Sequence, residues 1–311
     1  MAQQESDFNE RDFIYGNCLL CGNKIEKNYI LLAGQVRDAT DLKVIQCLSC
    51  GHVQITPIPP QEEEQEYYDR DGQVQSICPD MELNDKWQKA KSDVDYRYKL
   101  ISSHCATSGR ILDIGAGYGF LLNKLGENGY RCDGIEISSS RREVAQRLFP
   151  GNMFVHNILY DDLTELHGEY DLVTAFQVLE HIPSPGLFLA RIRDLLTPGG
   201  KIILEVPNVD DHALTLSRAY RDFFWQRAHL SYFSTRSLKQ VIELAGFINY
   251  NLTGRQRYSV LNLGNWILNG KPQLAMPSYG SPEGLGWLDE SYRSYLCERL
   301  ICDTLVAVIN T

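Results

Sequence analysis

Apolar and polar positions divide the chain into three stretches of different rhythm. Up to residue 60 the apolar runs are short and strand-like, and they end in the stiff segment Pro57-Ile58-Pro59-Pro60. Residues 61–108 are polar, open on the acidic run Glu62-Glu63-Glu64, and carry helical spacing. From Arg110 onward, short apolar runs alternate with amphipathic ones. Strands are expected at Arg110–Ile114, Arg131–Ile137, Met153–Ile158, Asp171–Val178 and Lys201–Val206. Helices are expected from the glycine loop to Glu127, at Ser139–Leu148 and at Leu187–Leu196. Such alternation predicts an α/β fold with a parallel sheet covered by helices on both faces. Further on, Thr235–Ala245 reads as a helix stopped by Gly246, and Phe247–Leu252 and Thr304–Ile309 as late strands. Between those strands lies a late insertion at about 258–302, with a Pro/Gly-rich loop at Pro277–Gly286. The expected units are a module over 1–60, a helical linker or cap over 61–108, and the α/β domain over 109–311.

Composition narrows the possibilities. Hydrophobic residues make up 43% and charged residues 23% of 311, enough for a sizeable core. A net charge of −10 and the lack of a long basic run argue against a nucleic-acid-binding surface, where phosphate contacts dominate affinity. The first residues, polar and acidic, do not read as a signal peptide, and no apolar run reaches the length of a membrane span. The expectation is a cytoplasmic chain, in which nine cysteines do not serve as disulfides. Oligomeric state is not legible.

Four of those cysteines have a pattern. Cys18-Leu19-Leu20-Cys21-Gly22 and Cys47-Leu48-Ser49-Cys50-Gly51 are two Cys-x-x-Cys pairs, each closed by glycine. The two-residue gap lets both sulfurs of a pair turn toward one ion, and four thiolates suit tetrahedral zinc. With strand-like sequence between the pairs, the module reads as a zinc ribbon. A closed four-sulfur site has no open coordination position, so its role is structural, and His52 is not needed as a ligand. Cys78, Cys105, Cys132, Cys297 and Cys302 lack ligand spacing and read as small apolar residues.

The most informative stretch is Asp113-Ile114-Gly115-Ala116-Gly117-Tyr118-Gly119, where a strand runs into a glycine-rich turn that opens a helix. Glycines let backbone approach a ligand closely, and such turns bind nucleotides in general. A dinucleotide loop would need Gly-x-Gly-x-x-Gly, but Phe120 occupies the third glycine position. A second acid, Glu136, follows about twenty residues on at the end of the next strand, where a carboxylate can hold ribose hydroxyls.

Together with Tyr170–Ile182 and Leu195–Leu204, this pattern resembles the motifs of class I S-adenosylmethionine-dependent methyltransferases. The resemblance implies a Rossmann-like seven-stranded sheet whose last strand, Thr304–Ile309, is antiparallel. It implies S-adenosylmethionine as methyl donor, held by Asp113, Gly115, Gly117, Tyr118 and Gly119 around its amino acid part and by Glu136 and Ile137 at the ribose. Asn157 and Ile158 are implied near the adenine, and Phe176 and Gln177 near the methionine part.

A later segment, Ala228-His229-Leu230-Ser231-Tyr232-Phe233-Ser234, is similar to one in bacterial methyltransferases that act on sugars and surface glycans. A deoxysugar C-methyltransferase branch of these also carries an N-terminal four-cysteine module, and there an acid precedes a histidine that serves as base. Here Ala228 precedes it. His229 is therefore the candidate general base, Tyr232 a partner if the segment is helical, and His181, after Glu180, the competitor. Arg255, Arg257 and Tyr258 form a basic and aromatic cluster suited to an anionic acceptor such as a nucleotide-linked or phosphorylated sugar, or to salt bridges. The expected function is methyl transfer to a small-molecule acceptor. The alternatives are a protein or nucleic-acid methyltransferase that recognises its target through the ribbon, and a non-catalytic binding subunit.

Overall fold

The computed structural model describes residues 16–25, 28–69, 82–272 and 284–311. Most of the Pro277–Gly286 loop and Cys78 lie outside the described residues.

The main sheet is built by βα alternation. β4 (Arg110–Ile114) runs through the glycine turn into α3 (Phe120–Glu127). β5 (Arg131–Ile135) leads to α4 (Ser139–Leu148), then to the two-residue β6 (Met153–Phe154). β7 (Tyr170–Phe176) leads through α5 (Pro185–Asp194) to β8 (Leu196–Pro207). The late strands are β10 (Asn249–Arg255) and β11 (Thr304–Asn310), and the sheet order is β10-β11-β8-β7-β4-β5-β6. β4, β5, β6, β7 and β8 pair in parallel, while β11 runs antiparallel between β8 and β10. Seven strands with the last one reversed is the expected Rossmann-like architecture.

The central strands are apolar without interruption because both faces are covered. Leu112, Val173, Leu204, Leu305 and Ala307 pack with α5 and α8 (Thr235–Leu244) on one side. Ile111, Leu172, Ile203 and Val306 pack with α2 (Leu83–His104) and α3 on the other. The expected third strand is shorter than its apolar run. Asn157 starts an Asx turn instead, accepting from Leu159 N at 3.0 Å, and Ile158 drops into the core.

Among the described residues the expected linker supplies two helices, α1 (Gln61–Asp69), which borders a cleft at the sheet edge, and α2, which lies on the sheet face. The late insertion holds α9 (Val260–Asn269) and α10 (Gly286–Glu298). Between β8 and α8 lie α6 (Ala213–Leu216) and α7 (Arg218–Phe224). No helix among the described residues is long and apolar enough to cross a membrane.

The cysteine module forms a second sheet of β1 (Tyr29–Ala33), β2 (Lys43–Cys47) and β3 (Val53–Thr56), all antiparallel. Its fourth strand comes from far along the chain. β9 (Ser231–Tyr232) pairs with β3 in the register Val53↔Tyr232 and Gln54↔Ser231. The segment carrying His229 is thus a strand of the module's sheet, not the helix that would have set Tyr232 beside His229 on one face.

Candidate active site

The glycine turn solves three steric problems with three residues. Gly115, Gly117 and Gly119 have φ of +73°, +57° and +76°, a region that costs a side chain about 1–2 kcal/mol. A Cβ on Gly115 would lie 2.5 Å from Val178 Cγ2, and one on Gly119 would lie 2.9 Å from Ala145 Cβ. A Cβ on Gly117 would meet nothing within 4 Å, so this glycine keeps an open space clear rather than a packed one.

Glu136 is buried and its carboxylate is held from both sides. Gly117 N donates to Oε2 at 2.8 Å, and Ser138 N donates to Oε1 at 2.8 Å. Each oxygen keeps a second acceptor site for a ligand hydroxyl. Asp113 sits behind the turn and accepts from Thr174 Oγ1 at 2.6 Å, and burial lifts its carboxyl to about 6. Tyr118 points to α2, where its hydroxyl accepts from Lys86 Nζ at 2.9 Å.

A cleft of about 180 Å³ opens over this edge. Gly115, Glu136, Ile137, Asn157 and Gln177 line it on one side, and Pro59, Glu64, Tyr68, His181 and Leu230 on the other. Ile158 and Phe176 do not line it and are buried in the cores on either face of the sheet. Gln177 has φ +58°, a strained conformation for a residue with a side chain, which its backbone N–H holds by donating to Glu205 O at 2.7 Å. A larger depression, about 1240 Å³, lies between the module and α7, away from Glu136.

His181 lines the cleft and His229 stands behind it, with ring centroids 5.1 Å apart. His181 Nδ1 lies 2.6 Å from Ala228 O. A carbonyl only accepts, so Nδ1 carries the proton and Nε2 keeps its lone pair. Ala228, in the place of the expected acid, thus acts through its backbone. Glu180 is 1% exposed, and among the described residues neither of its carboxyl oxygens has a hydrogen-bond partner. Its Oε1 is 3.9 Å from His181 Nε2. Burial raises Glu180 to about 8 and lowers His181 to about 4, so both are uncharged at neutral pH. Burial likewise holds His229 well below its usual range.

Two expectations need correction. Tyr232 does not face the cleft: its hydroxyl accepts from Gln226 N at 2.8 Å, donates to Gln226 O at 3.0 Å, and is used up within the module interface. Arg255 and Arg257 do not form an anion site at the cleft. Arg255 Nη1 donates to Glu205 Oε2 at 2.6 Å and Nη2 to Asp93 Oδ1 at 2.5 Å, while Arg257 Nη2 donates to Asp93 Oδ2 at 2.6 Å. Burial opposes ionisation of Asp93, but Arg257, Arg97 and Arg255 hold it below the usual carboxylate range. Tyr258, next along, anchors by its backbone N–H to Asp303 Oδ2 at 3.1 Å.

That network brings in a residue no motif marks. Arg97 of α2 pairs with Glu205, stacks over Phe176 at 4.9 Å, and leaves its buried Nε without a partner among the described residues. Tyr68 and Glu64 were hidden in the polar run 61–69, where only the helical spacing gives a signal.

The four module cysteines converge. Cys18 Sγ lies 3.6 Å from Cys50 Sγ and Cys21 Sγ 3.8 Å from Cys47 Sγ, with all four sulfurs within 4.8 Å of one another. Sulfurs about 2.3 Å from a tetrahedral ion would stand about 3.8 Å apart. Gly22 and Gly51 turn behind the pairs at φ +72° and +82°. The Cys18–Cys50 hydrogen bond favours the thiolate of Cys50 and raises Cys18, and burial raises Cys21, so ionisation of the set would need a bound cation.

Residues 87–252, just over half of the chain, match the model of a methyltransferase domain. The chain belongs to this methyltransferase family. Curated relatives include ubiquinone biosynthesis O-methyltransferases from Aromatoleum aromaticum, 34% identical over 103 residues (32% of this chain, 44% of the relative), and Nitrosococcus oceani, 33% identical over 117 residues (36% and 50%). The chain spans about half the length of the curated relatives it matches. Among solved structures, a SAM-dependent methyltransferase from Archaeoglobus fulgidus aligns with TM-score 0.52 at 18% identity, covering 74% of this chain and 98% of that one. The 1,6-didemethyltoxoflavin-N1-methyltransferase of Burkholderia thailandensis aligns with TM-score 0.51 at 15% identity, covering 84% and 95%. These likenesses show that the methyltransferase shares its fold with S-adenosylmethionine-dependent enzymes.

Proposed function

We propose that the protein transfers a methyl group from S-adenosylmethionine to a hydroxyl of a small-molecule acceptor, with His181 as the base. The carrying observation is the cleft itself, which joins the Gly115–Glu136–Gln177 cradle to the uncharged Glu180–His181 pair. S-adenosylmethionine supplies an electrophilic methyl on a sulfonium. The open space at Gly117 and the two free acceptor positions of Glu136 suit its backbone approach and its ribose. Arg97, stacked over Phe176 with its buried Nε without a partner among the described residues, suits the cofactor's own carboxylate. Nε2 of His181 can accept the proton of the acceptor hydroxyl as its oxygen bonds the methyl carbon and the carbon–sulfur bond breaks to leave S-adenosylhomocysteine, and the imidazolium then returns that proton to solvent. The module binds one zinc through Cys18, Cys21, Cys47 and Cys50.

The acceptor we favour is a sugar unit of a glycan precursor, supported by the His229–Ser234 segment and the module that accompanies it in sugar-modifying methyltransferases. A phenolic hydroxyl is the second reading, favoured by the curated relatives and by the apolar wall of Ile182, Pro183, Tyr160 and Leu230. Transfer of labelled methyl from S-adenosylmethionine to nucleotide-linked sugars, with catechols in parallel, tests both. His181→Ala should retain cofactor binding and cut turnover about 100- to 10,000-fold. Full turnover in that variant would sink the assignment.

A further inference from the structure

The segment from Phe223 to Tyr232 is stitched to the cysteine module beyond its strand pairing. Arg37 N donates to Trp225 O at 3.0 Å, Arg37 Nη1 to Phe223 O at 2.9 Å, and Ile55 N to Leu230 O at 3.1 Å. Arg227 N donates to Asp38 Oδ1 at 2.8 Å. One contact reaches further. Arg37 Nη2 donates to Gln226 Oε1 at 2.6 Å, and Gln226 Nε2 lies 2.9 Å from His229 Nε2 and 3.2 Å from Nδ1.

A guanidinium has donors only, so the amide oxygen of Gln226 must face Arg37 and its NH2 must face His229. An amide NH2 donates only. The imidazole nitrogen it meets must therefore carry a lone pair, which a protonated ring lacks. We propose that Arg37 is a positioning residue which, acting through Gln226, locks His229 as a neutral hydrogen-bond acceptor behind His181 and so leaves proton uptake to His181.

The titratable and charged groups around His229 agree. They are His181, Tyr232 with its ring centroid 5.6 Å away, Glu180, and Arg37 itself. Glu180 is held protonated by burial, and Tyr232 is raised above its usual range, so neither offers an anion at neutral pH. Arg37 opposes a second positive charge. The module therefore contributes a side chain to the ordering of the active site. The part concerning His181 rests on the function proposed above, whereas the state of His229 does not.

The test is a two-bond proton–nitrogen spectrum of full-length, zinc-loaded protein labelled in histidine nitrogen, with signals assigned through His229→Gln and His181→Gln. In the wild type, His229 should stay neutral and in one tautomer from pH 5.5 to 8. Arg37→Ala should mix the tautomers and move the midpoint measurably up toward the ordinary histidine value of roughly 6.5, burial keeping it below that value. Arg37→Lys, which keeps one donor to Gln226, should restore the single tautomer. If Arg37→Ala does not fold, Gln226→Leu leaves the backbone stitching intact and should release His229 in the same way. Binding of S-adenosylhomocysteine within twofold of wild type certifies each variant as folded. A wild-type His229 protonated at pH 7, or a folded Arg37→Ala or Gln226→Leu variant with an unchanged tautomer and midpoint, would overturn the proposal. Loss of methyl transfer in His181→Ala bears only on the proposed function, so the two ideas fail separately.

Discussion

Single atoms decide what each residue of the cleft can do. A Cβ at Gly117 enters open space, one at Gly115 collides with Val178, and both positions need φ above zero. Gly117→Val should therefore yield folded protein that no longer binds S-adenosylhomocysteine by calorimetry, whereas Gly115→Ala should lower the melting temperature as well. Glu136→Ala should weaken binding by about 1.5–3 kcal/mol, the worth of a charged hydrogen bond; unchanged affinity would refute the ribose role. Glu180 gives a pH signature. Its folded carboxyl is raised to about 8 from 4.5, so its contribution to stability is full below pH 4.5 and is lost as pH rises through 8. Between pH 6.5 and 8 the ligand-free protein should lose up to about 2 kcal/mol. Glu180→Gln should lose distinctly less there in thermal unfolding, with what remains confined below the value of about 7 to which burial raises Asp211, and an equal loss in that variant would place the effect elsewhere. The glycine turn, Asp113 and Glu136 could be read from the chain because their spacing is local. The choice between His181 and His229 could not, since it depends on which ring packs in front. Arg97 was invisible for a similar reason, as its partners Glu205 and Phe176 lie far along the chain.

At the scale of elements, strand and helix periodicity located nearly every βα unit, because both the strand cores and the helix faces are continuously apolar. The misses have physical causes. Met153–Ile158 reads as one strand, yet Asn157 captures Leu159 N and ends the pairing after Phe154. Phe247 reads as a strand start, but it is buried against α8's partners and pairing begins only at Asn249. β9 is two residues long and pairs with a strand in the module, which no local pattern can announce. Directly after it, Ser234 caps α8: its Oγ accepts from Ser237 N at 3.1 Å, and Ser237 Oγ accepts from Ser234 N at 2.9 Å. Ser234→Ala should cost about 1 kcal/mol in denaturant unfolding. A loss below a few tenths would mean that packing of Leu238 and Val241 alone sets the helix start.

At the scale of the molecule, two sheets meet through one short segment. Purified protein should carry close to one zinc per chain by elemental analysis, and a metal-free, fully folded protein would remove the zinc from the account. Chelation should lower the melting temperature. It should also speed amide exchange in 229–233, which pairs with β3 and, through the bridge Asn208↔Phe233, with the end of β8. Unaltered exchange there would show that the main domain holds the segment unaided.

The pairing of β9 with β3 bears on how such a chain can be rearranged by recombination. A module that completed its own sheet could be exchanged between enzymes as a cassette, cut anywhere in the connecting chain. Here the first sixty residues would arrive at a new host one strand short, and the donor would keep a strand with nothing to pair with. Inheritance of the two parts is therefore tied: they can be traded only together, or re-evolved together across a seam that holds His229 on one side and Arg37 on the other.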